Sequence, residues 1–491
     1  MNISNEAHLR TLAASGDYKI IPVSCEIYSD ICTPIQALRI LQNVSHHVYL
    51  LESIEDHEKW GRYSFLGYDP KMELTCTDGM MTIKSGSSVS FPVKHPGEYI
   101  RQVVADNLSP MIPGLPSFTG GLVGYFSYDY IKYAEPTLKL DAEDEEHFKD
   151  VDLMLFDKVI AFDNFRQKII LIANARCENF DTEFNNAKLE LQTMIDLLMK
   201  GTPKKHVPGH MTSPFRSLFE KEAFCDIVRK GKHYIHEGDI FQVVLSNRFE
   251  ADFEGSLLDA YRVLRTTNPS PYMFYFSSDD IEMAGASPET LVKLENGELY
   301  TFPLAGTRPR GATEQEDQAL TEELLHDEKE CAEHNMLVDL GRNDIGKISQ
   351  FGSVSVKKYM SVEKFSTVMH IGSTVHGQIR PDKDALDAVD AVLPAGTLSG
   401  APKIRACEII NELEGTKRGI YGGAIGYIDF KGNLDTCIAI RLAFKKNGKV
   451  FVRSGAGIVA DSVPENEYQE TINKSAAVMK ALKIAEEGVD G

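Results

Sequence analysis

The sequence predicts an α+β protein with mostly antiparallel sheets, and two patterns carry that expectation. Segments with helical spacing and segments of alternating polarity come in blocks, not in the strand–helix–strand alternation of a parallel sheet. Strand-like runs also cluster between 352 and 378 and again between 421 and 453. At 491 residues the chain holds material for two or three domains.

Taken in order, 18–26 reads as a strand, and a helix opens at Thr33-Pro34, a capping residue followed by proline at the first helical position. Strands are expected over 47–53, 151–162 and 167–173, and a helix over 180–199. The stretch from Lys200 to His210 is rich in Pro, Gly and Lys, so 201–213 is expected to link a region 15–200 to a region 214–489. Beyond it, 219–236 reads as a helix closed by Gly238. Residues 241–250 alternate, with Gln242, Val244, Ser246 and Arg248 on one face. Further helices are expected over 321–341, 402–414 and 464–487.

Charge narrows the function. The 52 Lys and Arg against 72 Asp and Glu give a net charge of −20, which argues against nucleic acid or an anionic membrane as partner. The N-terminal stretch lacks the apolar core of a signal peptide, and no run approaches the ~18 apolar residues of a membrane span. Cysteines 25, 32, 76, 177, 225, 331, 407 and 437 are scattered without metal-ligand spacing. Reduced thiols in a cytoplasmic protein are the expectation.

Two helical segments each carry carboxylates three residues apart, Glu330 with Glu333 and Glu467 with Glu470. Such pairs share one helix face. They are either solvated surface or the oxygen donors of a hard cation such as Mg²⁺. Glycine-rich stretches at 120–125, 422–427 and 455–457 either let backbone N–H groups approach an anion or pack strands closely. His370 is a general acid–base or a satisfied core histidine, and Glu289 a functional acid or an exposed loop carboxylate.

Together these residues lie in an ordered series of motifs. Gly238–Ser246, Gly285–Glu289, Pro303–Gly311, Asp327–Asp344, Gly396–Lys403 and Gly455–Thr471 make residues 231–477 resemble the chorismate-utilising enzymes. Leu50–Ser53, Gly61–Phe65 and Pro116–Asp129 resemble the regulatory half of the large subunits of that family. The resemblance implies a β-sandwich flanked by helices, built jointly by an N-terminal regulatory half and a C-terminal chorismate-binding half. It implies that Mg²⁺ is held by Glu333 and Glu470, supported by Glu330 and Glu467. Glu289 would be the general acid, His370 would serve the elimination step, and Lys403 would lie near the site. Tyr427, Arg441 and the N–H groups of a Gly455–Ala456–Gly457 turn would grip the enolpyruvyl carboxylate, with Gly306, Thr307 and Thr397 adding hydrogen bonds.

Two positions select a branch of the family. Water-using relatives carry a lysine where this chain has Gln242, and aminodeoxychorismate-forming relatives carry one where it has Ala305. The absence of both implies chorismate and ammonia going to anthranilate and pyruvate, the first committed step toward tryptophan. The alternatives are an aminodeoxychorismate or isochorismate synthase, or a non-catalytic chorismate- or tryptophan-binding regulator. No glutaminase segment is recognisable, so a separate glutamine amidotransferase subunit would supply ammonia, in an assembly of two large and two small subunits. L-Tryptophan would inhibit from a site made by Glu52, Ser53, Pro271, Tyr272, Met273 and Cys437, with Glu52 taking its ammonium group.

Overall fold

The computed structural model describes residues 5–53, 61–205, 207–364 and 368–489, so His206 of the expected linker lies outside the described residues. Local chemistry sets many boundaries where the sequence places them. The Thr33 hydroxyl accepts from the Gln36 N–H and opens the helix Pro34–Leu41. The helix Lys403–Glu414 stops at Gly415, whose φ of +64° a side chain would resist. The last helix, Pro464–Glu487, has the expected bounds.

Two expected elements are each divided. The helix expected over 321–341 is two helices, Glu314–His326 and Glu328–Gly346. Asp327 separates them: its carboxylate accepts from the N–H groups of Lys329 and Glu330, and it pairs with Arg308 at 2.9 Å. The strand expected over 151–162 is Val151–Phe156 in one sheet and Lys158–Asp163 in the other.

Among the described residues the strands form a 13-stranded and a 12-stranded sheet, and the pairings between strands are antiparallel throughout both. Strands from before and after the 201–213 stretch enter both sheets, which therefore have two seams. In the larger sheet Val48–Glu52 pairs with Tyr272–Ser277, placing Glu52 opposite Met273. In the smaller one Gly121–Phe126 pairs with Ala424–Asp429, placing Gly124 opposite Gly426. Two of the glycine-rich stretches thus pack against each other. A Cβ on either Gly124 or Gly426 would lie 2.0 Å from a neighbouring carbonyl oxygen, of Asp152 or Asp435. Close strand packing, not anion binding, accounts for both.

Aromatic residues from both sheets, including Tyr49, Phe156, Phe274 and Phe444, fill the space between them together with Phe118 from a loop. A second apolar layer lies under helices on the outer face of the larger sheet, a third under helices on the smaller one. This is the α+β sandwich flanked by helices that the sequence leads one to expect. Among the described residues no helix is long and apolar enough to cross a membrane, and all eight cysteines are unpaired.

One ionic group is buried within this frame. The Glu414 carboxylate accepts from Arg418 and Arg453, and from the N–H and hydroxyl of Ser246. Burial alone would raise its pKa, but the two guanidinium groups and Ser246 outweigh it and hold the carboxyl below the usual range. The arginines also donate to the carbonyls of Leu398, Val244 and Lys417. Glu414→Gln leaves two buried cations without their counter-charge and is expected to cost about 3–5 kcal/mol of stability. Urea unfolding measures this, and an unchanged midpoint would contradict it.

Candidate active site

The two carboxylate pairs lie within electrostatic reach of each other. Glu330 and Glu333 lie on the helix Glu328–Gly346, Glu467 and Glu470 on Pro464–Glu487. The Glu333 carboxyl is raised above its ordinary value by burial first, then by the charge of Glu330, with Glu470 adding from the facing helix. Glu467 is raised by burial and by Glu470. A cluster that repels itself in this way offers only oxygen donors and fits a hard dication. Lys474, one helical turn after Glu470, pairs with it at 2.6 Å and donates to the Gly455 carbonyl at 3.1 Å. The sequence reading missed Lys474, although its i,i+4 spacing from Glu470 was available.

Glu289 follows the strand Glu282–Ser287, deep in the cleft, walled by protein yet still reached by solvent. Burial lifts its carboxyl to about 7, against a hydrogen bond from the Thr397 hydroxyl at 3.1 Å and the charge of Lys474. Near neutral pH it therefore holds a proton for much of the time.

His370 lies on Val368–Gln378 opposite Thr307 of the strand Leu304–Pro309. Its Nδ1 is 2.9 Å from the Gly306 carbonyl and 3.1 Å from the Thr307 hydroxyl. Donation from Nδ1 to that carbonyl leaves Nε2 as the basic nitrogen of the neutral ring. Burial lowers the histidine pKa, the Gly306 carbonyl opposes this, and nearby Arg441 lowers it further. Gly306 interrupts the strand pairing with φ +63°, and a Cβ there would come within 3.2 Å of the Glu330 carboxylate.

The guanidinium of Arg441 donates to the Lys474 carbonyl at 2.8 Å. Its pKa is lowered by burial, against the pull of Tyr421 and Glu470. Gly455, Ala456 and Gly457 do not form a turn. They lie inside the strand Lys449–Ile458, opposite Ser246, Leu245 and Val244. The glycines open space there, since a Cβ on Gly455 would meet the Tyr421 hydroxyl at 2.9 Å and one on Gly457 the Gln242 amide nitrogen at 2.6 Å.

Tyr427 departs from the expectation. It packs on Phe118 with ring centroids 4.4 Å apart and lines a different cavity, while Tyr421 holds the place beside Arg441 and Gly455. Lys403 donates to Asp344 at 2.7 Å and to the Val392 carbonyl at 2.8 Å, so its ammonium ties helices together beneath the site. Gln242 is buried, and its amide oxygen has no hydrogen-bond partner. Ala305 sits opposite Ile371, next to Gly306.

The residues expected to hold an amino acid also meet. Glu52, Ser53, Pro271, Tyr272, Met273 and Cys437 line a cavity of about 540 Å³ between the sheets, together with Arg62, Lys293, Asp435 and Tyr427. One expectation fails on geometry. The Glu52 carboxylate is already taken by a two-pronged contact from Arg265, at 2.9 and 3.0 Å, and by the Tyr261 hydroxyl at 2.6 Å. It is an anchored wall residue, not a free partner for an ammonium group.

The sequence model of chorismate binding enzymes matches residues 47–480. The chain belongs to that family. It is 46% identical over 480 residues to anthranilate synthase component 1 of Acetivibrio thermocellus, covering 96% of this chain and 97% of that one. The component of the same name from Aquifex aeolicus is 47% identical, with coverage of 96% and 97%. Anthranilate synthase component I of Streptococcus pneumoniae superposes with a TM-score of 0.76 at 39% identity, covering 92% of this chain and 98% of that structure. The menaquinone-specific isochorismate synthase of Escherichia coli shares the fold at TM-score 0.70 and 20% identity, covering 97% of this chain and 98% of that structure.

The carboxylate cluster predicts that Glu333→Gln and Glu470→Gln each weaken Mg²⁺ binding by about tenfold or more while leaving the far-UV circular dichroism unchanged. Calorimetric titration of Mg²⁺ into the three proteins measures it; equal affinities would remove these residues from the metal site.

Proposed function

We propose that this chain is the large subunit of an anthranilate synthase, converting chorismate and ammonia to anthranilate and pyruvate. Family membership and the relatives' shared name support the reaction class. The observation that selects the branch is Gln242, whose amide nitrogen lies against Gly457 and whose buried amide oxygen has no partner, where a water-using relative carries a basic amine. Water needs a base before it attacks; ammonia does not. The amide oxygen is suited to accept an N–H from the nucleophile.

In this reading Glu333 and Glu470, with Glu330 and Glu467, would hold Mg²⁺, which supplies positive charge to a dianionic substrate. Arg441, Tyr421 and the strand amides around Gly455–Gly457 grip the enolpyruvyl carboxylate, and Lys474 adds a second cation. Ammonia adds at ring carbon C2. Glu289 protonates the hydroxyl at C4, which leaves as water while the double bonds shift. His370 then serves the elimination of pyruvate through Nε2, its ring fixed by the Gly306 carbonyl. Thr397 and Thr307 orient the carboxyl and the imidazole. Lys403 is a positioning residue rather than one that touches substrate.

The remaining parts of the proposal follow the family. A separate glutamine amidotransferase subunit supplies ammonia in an assembly of two large and two small subunits. The cavity between the sheets binds L-tryptophan as a feedback inhibitor, and the enzyme works in the cytoplasm. Regions 15–200 and 214–489 are then regulatory and chorismate-binding in function, even though their strands share sheets.

Mass spectrometry of the product from the purified chain, chorismate, Mg²⁺ and ammonium salt tests the assignment. Anthranilate is expected; isochorismate or aminodeoxychorismate would overturn it. Gln242→Lys is expected to add a water-derived product, detectable in the same assay.

The acid role has a signed pH dependence. Glu289 acts while protonated and its pKa is about 7, so turnover carried by it falls as pH rises through that value. Glu289→Gln is expected to lose about 10²-fold or more in kcat and to flatten this alkaline limb. A limb of the same midpoint in Glu289→Gln would assign it to another group.

A further inference from the structure

Two cavities in this protein share a wall one residue thick. Tyr272, Asp435 and Cys437 line the 540 Å³ cavity between the sheets. Thr290 and Ile438 line a smaller pocket of about 40 Å³, whose other walls include Glu289 and Thr397. Consecutive residues, Cys437 and Ile438, thus face different cavities. So do the two partners of one hydrogen bond, the Tyr272 hydroxyl and the Thr290 hydroxyl, 3.0 Å apart. Tyr272 also donates to Asp435 at 2.8 Å, which directs the Thr290 proton toward the tyrosine oxygen.

The backbone carrying Glu289 hangs on the same wall. The Ile438 N–H donates to the Glu289 carbonyl at 2.9 Å, and the Ser287 hydroxyl donates to the Ile438 carbonyl at 2.7 Å. Pairing with the strand Leu434–Ile438 sets Thr290 opposite Cys437 and slips between Thr290 and Val292, so the acid and its neighbour sit beside a bulge at the end of the ladder. A bulge re-aims the side chains beside it. At this one, the Tyr272 hydroxyl ties the Thr290 side chain to the wall of the larger cavity.

We propose that Thr290 is a positioning residue that couples the larger cavity to the catalytic acid: an occupant that displaces Tyr272 releases the Thr290 hydroxyl and lets Glu289 turn away from Thr397. The inference rests on the reading of the larger cavity as an effector site and of Glu289 as the acid. Thr290 does not line the effector cavity, so coupling and effector binding separate at this position.

The test compares the full-length parent with Thr290→Val, which keeps the shape and removes the hydroxyl, and Thr290→Ser, which restores it. L-Tryptophan binding is measured by calorimetry without chorismate. The factor by which saturating L-tryptophan lowers kcat/KM for chorismate is measured with ammonia as nucleophile. Thr290→Val is expected to bind L-tryptophan within about threefold of the parent while that factor falls about tenfold, and Thr290→Ser to recover it. Thr290→Ala carries the same test should the valine variant not fold.

An undiminished factor in Thr290→Val overturns the proposal. So does loss of tryptophan binding, which would make Thr290 a cavity residue, and so does a serine variant that fails to recover the factor. A parent that forms anthranilate but binds no L-tryptophan overturns the effector reading, and the coupling with it. A parent that forms no anthranilate overturns the functional assignment itself.

Discussion

The Glu414 carboxylate, clasped by Arg418 and Arg453, is the constraint on which the catalytic cleft depends. A carboxylate without solvent is unfavourable unless its lone pairs are filled, and here five donors from three residues fill them. What the arginines do with their remaining N–H groups matters as much. Arg418 holds the carbonyls of Leu398, next to Thr397, and of Val244, two residues after Gln242. Arg453 fixes the strand that continues into Gly455–Gly457 and reaches the Lys417 carbonyl. Three segments that would touch a substrate are thereby registered to one buried charge.

Around that rigid centre the candidate site divides its labour by charge. The carboxylates of two helices face one side, where burial and neighbouring negative charge raise Glu333 and Glu467, while Arg441, Lys474 and strand amides gather on the other. Lys474 stands between the two, paired with Glu470 and bonded to Gly455. In a molecule with a net charge of −20, Arg441 and Lys474 thus set positive charge beside the strand that carries Gly455–Gly457.

How much of this was legible in the sequence depended on range. Caps, glycine stops and carboxylate pairs are local, and the helix Pro464–Glu487 with Glu467 and Glu470 was read correctly from such signals. Asp327 was absorbed into a single long helix because aspartate is tolerated inside helices as well as at their starts. Tyr427 and Tyr421 lie in one glycine-rich stretch, and which of them faces Arg441 is decided by how the chain enters the strand Ala424–Asp429, a geometry that spacing does not encode. The fate of Glu52 was equally out of reach. Its partners Tyr261 and Arg265 come from the helix Leu258–Thr267, far along the chain, and no local signal joins the two.

The two seams give the chain an unusual order of assembly. Val48–Glu52 and Gly121–Phe126 leave the ribosome early but pair with strands made near the middle and end of synthesis. Until Tyr272–Ser277 and Ala424–Asp429 emerge, the first two hundred residues carry apolar sheet edges with unmet backbone hydrogen bonds, the kind of surface that recruits other chains. Each nascent copy therefore carries two unpaired strand edges until the later segments are made, and the topology leaves them open to mispairing over that interval.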